Sequence, residues 1–149
     1  MTLEERAAAE AADLHRFLQA WMRGEIAPTA ENFARFEAAM APDMTMVSPA
    51  GLLSGRAAVV EMVRGLHGAR SPGFRIEVRA AAARPAGAGA ALATYEEWQE
   101  EAGARTGRVA SALMRARADA PAGVEWALVH ETWLPGAAPA GQVEVFSRA

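Results

Sequence analysis

An α+β domain, in which helices cover an antiparallel sheet, is predicted by three features of the sequence. From Ala90 to Leu134 the chain reads as three consecutive strands, ALATYEEWQ, GRVASALMRAR and VEWALVHETWL, joined by two turn-like segments. Just upstream, Phe74, Ile76 and Val78 alternate with Arg75, Glu77 and Arg79, the period of a strand with one wet face. Earlier still, Leu14, Phe17, Leu18, Trp21 and Met22 recur at three- and four-residue spacing, which places one buried stripe on a helix. The 149 residues fit one domain, 1–149, around a single core.

In order, the first helix runs from about Leu3 to Arg23 and stops at Gly24. Thr29 is a good N-cap for a second, with Phe33, Phe36 and Met40 on one face. Ala41-Pro42-Asp43 breaks it, and Met44 to Ser48 alternates as a short strand before the turn at Pro49-Ala50-Gly51. Ser54 is placed to cap a third helix, whose apolar face holds Val59, Val60, Met62 and Val63 and which Gly68 ends. The alanine-rich piece around Arg84-Pro85-Ala86-Gly87 reads as a turn. Residues 136–149 form a loose connector in which QVEVF could add an edge strand.

Composition narrows the chemistry. The chain has no cysteine, so disulfides, thiolate metal sites and cysteine nucleophiles are excluded. All fifteen basic residues are arginine, which excludes lysine Schiff bases and a phosphate-loop lysine. A net charge of −3 with arginines scattered among acids gives no basic stripe for nucleic acid. No apolar run approaches the ~20 residues of a membrane span, and the acidic, alanine-rich start does not read as a secretory signal. A cytoplasmic protein is expected.

The faces of the three strands decide where a site would lie. In the second, Ala110, Ala112 and Met114 share one face, and the arginines on the other favour the outside. An even-register hairpin then turns Trp126, Leu128, His130 and Thr132 inward, and leaves Ala127, Val129, Glu131 and Trp133 outward to meet a second subunit. For the first strand, one register adds Leu92, Thr94, Glu96 and Trp98 to the inner face, and a one-residue slip adds Tyr95 and Glu97 instead; the former is preferred. Small Ala110 and Ala112 between larger neighbours leave room for a ligand.

The order of elements, the G-x-x-S-G-R-x-x-V-V segment within MAPDMTMVSPAGLLSGRAAVVEMVRGLHG and the closing EWALVHETWLP resemble the nuclear-transport-factor-2-like superfamily, most of all its small SnoaL-like members. The resemblance implies a cone, a strongly curved antiparallel sheet wrapped around three helices, commonly dimeric through the sheet. The superfamily holds isomerases, dehydratases and cyclases beside members that only bind or assemble, so the fold leaves function open.

His130 is the expected acid or base, a histidine among Trp126, Leu128 and Thr132 whose proton affinity burial can tune; the alternative is a histidine that only bonds a neighbour. Glu96 or Glu97, whichever the register selects, would face it as a carboxylate partner. Asp43 is a candidate at the mouth, or a turn residue bonding its own backbone. Trp21, Met44, Met46, Tyr95, Trp98 and Trp126 could wall an apolar ligand, or be plain core. Three histidines without metal-ligand spacing predict no metal, and no cofactor is expected. The expected partners are a small organic molecule and a second copy docked through Val129, Glu131 and Trp133. If catalytic, the reaction would be an isomerisation, dehydration or cyclisation by proton transfer; otherwise the chain binds or dimerises.

Overall fold

The computed structural model describes residues 1–141. The QVEVF stretch lies outside the described residues. Helix α1, Leu3–Met22, begins on a reciprocal cap in which the Thr2 hydroxyl accepts from the Glu5 N–H at 3.1 Å and the Glu5 carboxylate accepts from the Thr2 N–H at 2.8 Å. It ends at Gly24, whose φ of +72° suits glycine and where a Cβ would come within 3.3 Å of the Gly68 Cα. Helix α2, Ala30–Glu37, is capped by Thr29 as the sequence predicts. Helix α3, Arg56–Gly65, differs in its ends: its N-cap is Gly55, Ser54 belongs to the preceding strand, and the helix stops before Gly68. Arg56 ties α3 down by donating to the carbonyls of Met40 at 3.2 Å and Glu37 at 2.8 Å.

Six strands, β1 Met40–Val47, β2 Leu53–Gly55, β3 Arg75–Pro85, β4 Ala90–Glu101, β5 Ala104–Ala116 and β6 Val124–Trp133, form one curved, unclosed sheet ordered β2-β1-β6-β5-β4-β3. Every pair is antiparallel except β1–β6, which is parallel, so the sheet is mixed. Strand β3 continues through the alanine-rich piece expected to turn. Alanine is a poor strand former, but Ala82 to Pro85 each pair with β4, and Pro85 closes an edge strand where its missing N–H costs nothing.

Burial sets the faces. On β4, Ala91, Ala93, Tyr95 and Glu97 are buried, which is the odd register and not the preferred even one. The reason is the helix above. Ala7 and Ala11 of α1 are fully buried in one cluster with Ala91 and Ala93, and small side chains on both surfaces let helix and sheet approach closely. The larger Leu92 and Trp98 take the outer face, where the Trp98 ring lies across Gly107; a Cβ at Gly107 would stand 2.5 Å from it.

On β6 the expected register holds at Trp126, opposite Met114, and then shifts. Leu113 pairs with Leu128 and Ala112 with Val129, so Ala127 is an extra residue, a β-bulge. One inserted residue inverts every side chain beyond it. Leu128, His130 and Thr132 therefore face outward and Val129 and Glu131 inward, the reverse of the expectation for all five. Opposite this bulge β1 also loses register between Met40 and Thr45, around Pro42, which cannot donate to a ladder.

Candidate functional site

Between the inner sheet face and the helices lies a cavity of about 260 Å³. Helix α1 contributes Leu14, His15, Leu18 and Met22 to it, and α3 contributes Val59, Met62, Val63 and nearby Leu66. Met40, Met44 and Met46 of β1 and Trp126 and Val129 of β6 complete the apolar wall. Five of the chain's seven methionines line this space, a flexible, polarisable wall that adapts to an occupant's shape. Met62 and Arg70 are exposed, so the cavity reaches the surface beside them.

The opposite end is polar and charged. Cross-strand pairing sets Glu97 beside Arg108 and Tyr95 beside Ala110, which in turn faces Glu131. Arg108 donates from Nη1 to Glu131 Oε2 at 2.7 Å, with its guanidinium 4.7 Å from the centre of the Trp133 ring. His15 comes down from α1: its Nδ1 lies 2.6 Å from the Ala11 carbonyl oxygen and its Nε2 2.9 Å from Glu97 Oε1. Gln99 donates to the other Glu97 oxygen at 2.5 Å. His15, Glu97 and Glu131 are each at most 6% exposed.

These contacts fix protonation. Both ring nitrogens of His15 face oxygens that accept, so the ring is satisfied when both carry protons and Glu97 is ionised. Burial opposes either charge, but the attraction between the two groups overrides it: His15 is raised above the usual imidazole value and Glu97 held well below the usual carboxylate range, helped by Arg108 and Gln99. Glu131 moves the other way, because burial and then the Glu97 charge raise it despite Arg108. Burial, followed by the charges of Glu97 and Glu131, pushes the Tyr95 phenol well above its ordinary value, so it stays protonated and able to donate. His15 and Glu97 are thus committed to each other, while Tyr95 and Glu131 keep hydrogen-bonding capacity toward the cavity.

Of the residues singled out in the sequence, Met44, Met46, Tyr95, Glu97 and Trp126 line this cavity. Ala110, Ala112 and Met114 are inward-facing and buried, as expected, but lie in the core beside it. Trp21 is core as well, donating from its indole to the Val63 carbonyl at 2.9 Å and packed on Phe33. Glu96 and Trp98 share the outer face, where the Trp98 indole donates to Glu96 at 3.2 Å. Leu128 and Thr132 are exposed there, and so is His130, opposite Ser111 and Val47. Asp43 is exposed and paired with Arg115, a surface ion pair away from the cavity. Val129 and Glu131, expected at a subunit contact, are inside; Trp133 is half-buried under Arg108.

Sequence reasoning missed His15, Gln99 and Arg108 and put Glu131 on the wrong face. One signal was available for His15. It falls four residues after Ala11 and three before Leu18, inside the apolar stripe of α1, where a histidine needs a buried partner. Among the described residues, no group of three or more His, Asp and Glu is arranged to hold a metal, and no helix is long and apolar enough to cross a membrane.

Comparison with known proteins adds family and fold. The profile of the sucrose-6-phosphate phosphohydrolase C-terminal family matches residues 7–135. Sucrose-phosphatase 2 and sucrose-phosphatase 1 of Nicotiana tabacum are each 27% identical over 139 residues, 92% of this chain. The chain spans only 33% of the length of each. Among solved structures, an NTF-2-like protein of unknown function from Pseudomonas aeruginosa superposes with a TM-score of 0.76 at 25% identity, covering 87% of this chain and 98% of that one. The CaMKII hub of S. rosetta gives 0.63 at 16% identity, covering 90% and 98%. The fold is the NTF2-like α+β fold that the sequence motifs resemble.

Proposed function

The chain belongs to the sucrose-6-phosphate phosphohydrolase C-terminal family, and from that premise we propose that it is a small-molecule-binding domain whose ligand sits in the cavity between α1, α3 and the sheet. In this reading the phosphatase chemistry named in the tobacco relatives resides in the two-thirds of those proteins that this segment does not span. The observation that carries the proposal is the division of the cavity: a methionine-rich apolar wall faces a charge-balanced polar end. An uncompensated charge brought into such a space would lose its hydration without gaining a counter-ion. A neutral molecule with an apolar body and one hydroxyl or carbonyl group fits better, its oxygen on Tyr95 and Glu131. The ligand set is then Met44, Met46, Tyr95 and Trp126, with His15 and Glu97 holding the polar end rigid.

A catalytic version needs no cofactor. Glu131, with its raised proton affinity, would exchange a proton with the ligand while Tyr95 holds the developing oxyanion, as in an isomerisation, dehydration or cyclisation. Glu131 and Tyr95 replace His130 and Glu96 in these roles. The domain would also pair with a second copy through its outer sheet face, where Leu92, Leu113 and Leu128 are cross-strand neighbours and Val109 is 40% exposed. The likeness to a hub structure supports self-association.

Trp126 reports on the site. Titration with small neutral alcohols, phenols and ketones should shift its fluorescence and raise Tm, and Glu131→Gln should weaken binding of the best ligand about three- to ten-fold. His130→Gln should leave that affinity unchanged. A panel that moves neither signal at millimolar concentration would sink the reading.

A further inference from the structure

A second cavity of about 370 Å³ adjoins the first and shares three residues with it, Arg70, Gln99 and Arg108. Its other walls include Phe74, Glu100, Thr106 and Trp133. Arg108 and Gln99 therefore stand as a partition between an apolar chamber and a polar antechamber. Two buried donors mark this partition: among the described residues, neither Arg108 Nε nor the Trp133 indole N–H has an acceptor within hydrogen-bond reach. A buried N–H left unpaired costs about as much as a lost hydrogen bond, so both sites call for oxygen. The positive charges are already committed. Arg108 is paired with Glu131 at 2.7 Å, Arg70 with Glu101 at 3.1 Å, and Arg75 of the adjoining strand faces Glu100 at 3.6 Å. No charge is spare for an anion, whereas hydroxyl groups can accept from the two donors and donate to the carboxylates already present.

We infer that the antechamber is a subsite for a neutral, polyhydroxylated head group, and that the ligand is an amphiphile: an apolar body in the chamber joined, past Arg108 and Gln99, to a sugar-like head beside Trp133 and Thr106. The inference rests on the chamber being a ligand site and adds a second subsite to it. Satisfying both orphaned donors should strengthen binding about ten-fold over the apolar body alone.

The test is calorimetric titration of the full chain with hexyl β-glucoside below its micelle concentration, 1-hexanol, glucose and hexyl phosphate. Hexyl glucoside should bind at least about ten-fold more tightly than hexanol and than glucose. Trp133→Phe keeps a ring under Arg108 and removes its donor; it should cost the glucoside about five-fold and hexanol nothing. Thr106→Val should lower glucoside affinity in the same selective way, and it serves if the tryptophan variant does not fold. Equal affinity for glucoside and hexanol would overturn the second subsite while the chamber stands. Tighter binding of hexyl phosphate would overturn the neutral head, and binding of neither glucoside nor hexanol would remove the chamber reading itself.

Discussion

His15 presents both ring nitrogens to acceptors deep under α1, and its charge is kept by Glu97. Its raised folded-state value means that its contribution to stability is complete below the unfolded value near 6.5 and is lost as pH rises through the higher folded value. Glu97 is lowered, so its contribution is present above 4.5 and is lost as pH falls toward its folded value. The pair thus favours the folded state most between these limits. His15→Gln leaves Glu97 buried with only Gln99 and Arg108 to face it and should cost about 3 kcal/mol near pH 6. Thermal melts of wild type and variant should differ most at pH 6 and converge toward pH 9; a gap that does not depend on pH would refute the ion pair. By contrast His130, exposed on the outer face, is a surface residue, and replacing it by Gln should change stability by no more than about 0.5 kcal/mol.

The hairpin between β4 and β5 turns on Ala102 and Gly103, both with positive φ, +51° and +80°, between paired Glu101 and Ala104. A two-residue loop of this kind favours Asn-Gly, and alanine there is strained. Ala102→Asn should stabilise the protein by about 0.5–1 kcal/mol, read as a higher midpoint in urea with an unchanged slope. The same scale shows what could be read from the sequence. Helix stripes, the Thr29 cap and the alternation of Phe74 to Arg79 follow from local periodicity, and α1, the start of α2 and the start of β3 form where that periodicity puts them; Met40, expected on the face of α2, opens β1 instead, because the helix ends at Glu37. The inner face of β4 was not legible from β4 alone, because alanine, tyrosine and glutamate look no more buried than leucine and tryptophan until α1 is laid across them. The bulge at Ala127 has no sequence mark of its own, since neither glycine nor proline stands there. Missing it exchanged Glu131 for His130 and hid the acid that faces the cavity.

At the scale of the whole molecule, the outer sheet face is the surface proposed above for a second copy. Leu128→Glu places a charge beside Leu113, itself opposite Leu92, on a residue already 38% exposed. It should leave the melt almost unchanged and convert an associated form to monomer in light scattering; an assembly that persists at micromolar concentration would move the contact elsewhere. The parallel pairing of β1 with β6 has a further consequence. Strands β3 to β6 follow one another through antiparallel neighbours and can assemble as local hairpins, but β1 must close a loop of most of the chain to reach β6. Such a contact of high sequence separation forms late and reopens early. Hydrogen exchange should find the amides of β1, β2 and α3 less protected than those of β4 and β5, and equal protection across the sheet would contradict this. Met44, Met46 and Val63 sit on the late-closing side, so local opening of β1 and α3 would loosen one wall of the cavity while the charged wall carried by α1, β4 and β5 stays folded.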